Sequence, residues 1–152
     1  MRTLQISAYE LAQRFVGIKE VPGTVANPQI LAMLRLDNDW PEDDGVPWCA
    51  AFVNYIAWLL RLPRSKNLLA RSWLAIGVPL LVGEAEPGFD IVVLKREVDG
   101  PEADVIDAPG HVGFFAGWDG YTNVYILGGN QGNTVSVQEF PLSRILGLRR
   151  LI

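Results

Sequence analysis

Cysteine and histidine each occur only once in this 152-residue chain, as Cys49 and His111. One cysteine cannot close an internal disulfide, and with a single histidine a zinc site would need carboxylates to complete it. No metal or other cofactor is expected. Basic residues are also scarce, 13 Lys and Arg against 17 Asp and Glu for a net charge of −4. A phosphate backbone is gripped by basic surfaces, so no nucleic-acid partner is expected. No run reaches the ~18 apolar residues of a membrane span, which argues against membrane insertion. The start, Met1-Arg2-Thr3-Leu4-Gln5-Ile6-Ser7, lacks the apolar stretch of a signal peptide. Synthesis in the cytoplasm is the expectation, with any work outside depending on another agent of release or delivery. No repeat, low-complexity segment or second composition regime interrupts the chain. With 49% hydrophobic residues it reads as one domain, 1–152, and as a monomer.

Ser7 and Glu10 form a capping box ahead of an apolar face at Ala8, Leu11, Ala12 and Phe15, with Gly17 as the stop. Gly17 to Gly23 reads as a turn-rich connection, and Asn27-Pro28 opens a second helix through about Arg35. Asp37 to Gly45 is an acidic loop. Its carboxylates raise the question of calcium, but their spacing does not match the twelve-residue calcium loop, and a solvated loop is the better reading. From Trp48 to Leu60 nearly every residue is apolar, the mark of a helix covered on all sides, and Asn54 within it reads as a satisfied core amide. Ala70-Arg71-Ser72-Trp73-Leu74 forms a short helix or turn.

After Pro87-Gly88 the periodicity shortens towards two, and β-branched and aromatic residues dominate. Strands are expected at about Asp90–Lys95, His111–Gly117, Thr122–Gly128, Thr134–Gln138 and Leu146–Leu151, with a polar surface loop from Glu97 to Gly110. A helical part over about 1–86 followed by a sheet part over about 87–152 predicts an α+β fold with an antiparallel sheet of about five strands.

Cys49 opens the apolar helix and His111 opens a strand. Separately each has a bland explanation, since free cysteines are usually buried and inert and lone histidines are often structural. Together they are the minimal kit for thiolate catalysis. Asp119-Gly120 signals a two-residue hairpin, which pairs His111 with Gly128 and sets Asn130 on the same face as a diagonal neighbour ~7–8 Å away. Asn130 is then placed to fix the imidazole tautomer. A three-residue loop or a bulge would shift the register by one and put Gln131 there instead.

Trp48-Cys49-Ala50-Ala51-Phe52-Val53, Ala70-Arg71-Ser72-Trp73, Gly110-His111-Val112-Gly113-Phe114 and Leu127-Gly128-Gly129-Asn130-Gln131 resemble, in order and spacing, the CHAP and NlpC-type cysteine hydrolases of bacterial cell walls. The likeness is strongest to a small single-domain branch common in bacteriophages and prophages. It extends from the Gly17–Gly23 turn to the Leu146-Gly147-Leu148-Arg149 strand. It implies a papain-like α+β fold in which Cys49 is the nucleophile, His111 the base and Asn130 the orienting amide. Many CHAP members carry a glutamate where this chain has Gly128, so the implied set is a triad. The Glu97–Gly110 loop is also longer than usual for the family. Trp48, Ser72 and Trp73 are candidate lining residues of a substrate pocket, with core packing the alternative for Trp73.

The implied activity is hydrolysis of an amide bond in peptidoglycan through a thioester, as an N-acetylmuramoyl-L-alanine amidase or a stem-peptide endopeptidase. The implied settings are a phage or prophage endolysin released with a holin, a virion-associated lysin, or an exported effector paired with an immunity protein. A non-catalytic wall-binding module and an acyltransferase are the alternatives of a different class.

Overall fold

In a computed structural model, described over residues 1–21, 26–39, 41 and 47–152, helices cover one face of a mixed-length antiparallel sheet and a second, smaller cluster packs on the other. Pro22 and Gly23 of the expected connection lie outside the described residues. So do Val46 and Glu42, Asp43, Asp44 and Gly45 of the acidic loop.

The first helix, α1 (Ala8–Gln13), starts where the capping box predicts: the Glu10 amide donates to Ser7 Oγ at 3.1 Å and the Ser7 amide to Glu10 Oε2 at 2.8 Å. Asn27 caps α2 (Pro28–Leu34) by accepting from the Gln29 amide. The third helix, α3 (Cys49–Leu59), is buried from Cys49 to Ala57 except at Tyr55, while Trp58 and Leu59 reach the surface. Its apolar run is therefore covered along most of its length but not in its last turn. Asn54 is a satisfied core amide: its Nδ2 donates to Asn67 O and its Oδ1 accepts from the Lys66 amide.

The sheet has six strands, β1 (Val78–Leu80), β2 (Asp90–Lys95), β3 (Gly110–Trp118), β4 (Asn123–Gly128), β5 (Ser136–Pro141) and β6 (Ile145–Arg150). They lie in the order β1-β6-β2-β3-β4-β5, every neighbouring pair antiparallel. The extra strand, β1, falls inside the segment expected to be helical. It is three residues long, exposed and contains Pro79, which suits an edge and hides it from a periodicity reading. In β2 every residue is buried because both faces are covered. Ile91 and Val93 pack under the helices with Phe52, Phe114 and Leu127, whereas Val92 and Leu94 join Phe115, Ile126 and Leu148 on the far side.

The β3–β4 hairpin departs from the two-residue turn. Trp118 pairs with Val124, which leaves residues 119–122 between the two strands. Asp119 Oδ1 accepts from the amides of Tyr121, Thr122 and Asn123 and so winds the chain into this wider turn. A register shift between Phe115 and Gly117 then brings Phe114 opposite Leu127. Gly128 consequently lies beside Gly113, not opposite His111.

Candidate active site

Cys49 is the first residue of α3 and only 6% exposed. Trp48, at the N-cap, supplies no side-chain acceptor, so first-turn amides are left to serve other groups. The Ala50 amide and the Val112 amide of β3 both face the sulfur. Burial pushes the thiol up, but the hydrogen bond and positive charge of His111, with those two amides, outweigh it and hold Cys49 below the ordinary thiol value. On the imidazole the same contact has the opposite sign. Burial pushes His111 down, yet Cys49 and then Gln131 raise it above the usual histidine value, against a smaller opposing effect of Arg144. The pair is thereby biased towards thiolate and imidazolium.

The imidazole tautomer follows from the hydrogen bonds of Gln131, which is 3% exposed. Its Nε2 donates to Ile126 O at 3.1 Å and Ser136 O at 2.7 Å. These carbonyls can only accept, so the amide orientation is fixed and Oε1 must face the ring. His111 Nε2 lies 2.8 Å from Gln131 Oε1 and is therefore the nitrogen that carries a proton and donates. Nδ1 is left for the sulfur. A neutral His111 in this state is a base aimed at Cys49.

Gln131, the runner-up of the sequence reading, thus holds the position first assigned to Asn130. Asn130 lines a cavity beside the imidazole, but its backbone is left-handed at φ +57°, so strand alternation stops there. The turn that follows is closed by the Gln131 amide donating to Thr134 O, and it brings Gln131 round to the ring. Thr134, expected to begin a strand, belongs to this turn and bridges to Lys19, while β5 begins at Ser136. Gly128 makes room: a Cβ there would sit 2.6 Å from Gln131 Oε1 and 3.3 Å from His111 Nε2.

Of the three candidate pocket residues, none lines the cavities around Cys49 among the described residues. Trp48 is wholly buried and donates from Nε1 to Glu20 Oε1 at 2.8 Å. It also packs so closely on Gly129 that a Cβ there would lie 2.7 Å from its ring. Trp73 is wholly buried in the main core. The Ser72 hydroxyl donates to Leu69 O within its own turn. All three are structural here.

Two cavities meet at Cys49, and Pro47, Arg96 and Gly110 border both. The larger, about 520 Å³, runs along Leu68, Leu69 and Ala108. The smaller, about 350 Å³, lies on the imidazole side against Gln131, Phe140 and Arg144. The wall of the larger is held by Arg71, a residue within a quoted motif whose role sequence reasoning missed. Arg71 is 1% exposed, and its guanidinium donates to the carbonyls of Pro101, Glu102, Val105 and Pro109. Arg96, Phe140 and Arg144 were also missed, and no spacing signal in the chain points to them. Among the described residues no group of three or more His, Cys, Asp or Glu is arranged to hold a metal.

A buried thiol at a helix start, an imidazole on a strand and an amide behind it can form and hydrolyse a thioester. No protein-family model matches the sequence, and no curated protein does. Among solved structures, NlpC1 and NlpC2 from Trichomonas vaginalis are similar, each with a TM-score of 0.59 at 16% identity. The likeness covers 99% of this chain, but 46% of NlpC1 and 48% of NlpC2, so the chain spans about half the length of each. The architecture is an NlpC-like, papain-like α+β fold, with N-terminal helices packed on a six-stranded antiparallel sheet.

Proposed function

We propose that this chain is a cysteine peptidoglycan hydrolase that cleaves an amide bond through a thioester on Cys49. The observation that carries this reading is that Cys49 and His111 act on each other across the helix start and the strand, with the imidazole tautomer dictated by the carbonyls behind Gln131. The NlpC-like fold and the motif resemblance support the choice of substrate. In the first half-reaction the thiolate attacks the amide carbonyl, the carbon–nitrogen bond breaks, and imidazolium His111 gives its Nδ1 proton to the leaving amine. Neutral His111 then takes a proton from water, hydroxide attacks the thioester, and the thiolate leaves as the acid product forms. Gln131 keeps Nε2 protonated throughout and accepts more strongly from the imidazolium than from the neutral ring.

Cys49→Ala should lower release of soluble muropeptides from purified sacculi by at least about 10⁴-fold while leaving the thermal transition intact. An alanine variant that digests sacculi at the original rate contradicts the reading. Mass spectrometry of the fragments assigns the bond, since only amidase action frees intact stem peptides from sugar. The setting we propose is phage or prophage lysis, carried by the sequence resemblance. A neighbouring immunity gene in place of a holin gene would point to an exported effector instead.

A further inference from the structure

The two arms of the cleft differ in charge. The larger is lined by Asp107 as well as Lys66 and Arg96, whereas the smaller has Arg96 and Arg144 and no carboxylate among its described lining residues. In a chain of net charge −4, two cations facing one small cavity with no acid among its described lining residues stand out. Neither arginine forms an ion pair among the described residues; Glu97 is felt by Arg144 without reaching it.

Arg144 is also held in place. Its Nε donates to Lys95 O at 3.0 Å, and its guanidinium lies 5.1 Å from the centre of the Phe140 ring, which in turn stacks at 5.4 Å from His111. Its terminal nitrogens make no hydrogen bond among the described residues, so a rigid fork of donors is left facing the cavity. Arg96 is close enough that its charge bears on Arg144, and it too has no hydrogen-bond partner among the described residues. Among the described residues the pair has no carboxylate partner, and it matches a carboxylate brought by a ligand.

We propose that Arg96 and Arg144 form a carboxylate-binding subsite on the imidazole side of the cleft, occupied by an acidic group on the amine side of the scissile bond. The side follows from the chemistry, because His111 delivers its proton to the leaving nitrogen and the leaving part must therefore lie on the imidazole flank. The choice of carboxylate follows from the substrate class, since the anionic groups of a peptide are carboxylates. The direction of binding rests on the hydrolase reading, while the arginine pair itself does not. A bound carboxylate also offsets the unfavourable effect of Arg144 on the imidazolium, so occupancy of the subsite favours the reactive pair.

Iodoacetate and iodoacetamide separate these claims. Both alkylate a thiolate by displacing iodide with formation of a thioether, and they differ in carrying a carboxylate or a neutral amide. The ratio of their rates at Cys49 should fall roughly tenfold in Arg144→Gln, and in the same direction in Arg96→Gln, as expected for loss of a charge-assisted contact. Arg96 is exposed, so its variant does not depend on the fold tolerating a change at Arg144. A ratio that moves less than about twofold in both variants overturns the subsite, as does a Cys49 that neither reagent modifies. Soluble muropeptides, native or with carboxylates converted to amides, supply the second arm. Wild type should hydrolyse the native form at least about tenfold better, and the arginine variants should lose that preference. An arginine-dependent iodoacetate preference without muropeptide hydrolysis leaves the subsite standing and removes the peptidoglycan reading.

Discussion

The cleft has two irregular walls, each organised by one buried polar side chain, and the two differ in where their hydrogen bonds go. Arg71 donates only to backbone carbonyls of the 101–109 loop. Gln131 divides its amide, with nitrogen anchoring the turn and oxygen meeting His111. Arg71 therefore shapes a surface, whereas Gln131 selects a protonation state. Burial and bond number do not distinguish the roles; the identity of the partner does.

Substitution separates them. Gln131→Ala should cost about 10²-fold in kcat, because the imidazole loses the acceptor that holds its tautomer. It should also narrow the pH range of activity, and Gln131→Asn should fail to restore the rate since it is one methylene too short. Arg71→Leu should lower stability by about 2–4 kcal/mol, measured by denaturant unfolding, since several loop carbonyls lose their donors. Its kinetic effect should fall on KM, with kcat changed by less than about tenfold. Equal kcat losses in the two variants would erase the distinction. The smallest effect belongs to Asn130→Gly, which removes the amide yet keeps the left-handed backbone accessible. Sacculus digestion should stay within about threefold of wild type if the orienting amide is Gln131.

Regular elements were readable from the chain because their signals are local. The capping box at Ser7, the Asn27-Pro28 start, the apolar run from Cys49 and β2 at Asp90–Lys95 all lie where pattern places them. Cys49 and His111 sit at the ends of such elements, so their approach was legible too. The third member was not, for it depends on two irregular features in succession. Asp119 widened the hairpin through three backbone amides, and the left-handed residue Asn130 turned the chain before Gln131. The pocket residues failed for another reason: Trp48 and Trp73 are large enough to line a cleft, but the core between α3 and the sheet takes both. Arg71 and Arg144 act through carbonyls and ring faces supplied by distant segments, which no spacing records.

The pH dependence of Cys49 alkylation by iodoacetamide bears most directly on the central claim, that His111, oriented by Gln131, holds the thiol as a thiolate. Cys49 is held below its reference value of 9.0 and His111 above its reference value of 6.5. Both shifts favour the ion pair over an interval of pH whose bounding values belong to the pair and not to either residue alone. It is lost by protonation of Cys49 on the acid side and by deprotonation of His111 on the alkaline side. Hydrolysis should follow a bell over that interval. Alkylation, which needs only the thiolate, should already be fast well below pH ~8.5 in wild type and in Asn130→Gly. In Gln131→Ala the rise should move to higher pH, and in His111→Ala it should resemble an ordinary thiol. A wild-type Cys49 that reacts only as an ordinary thiol does, unaffected by His111→Ala, would contradict the account.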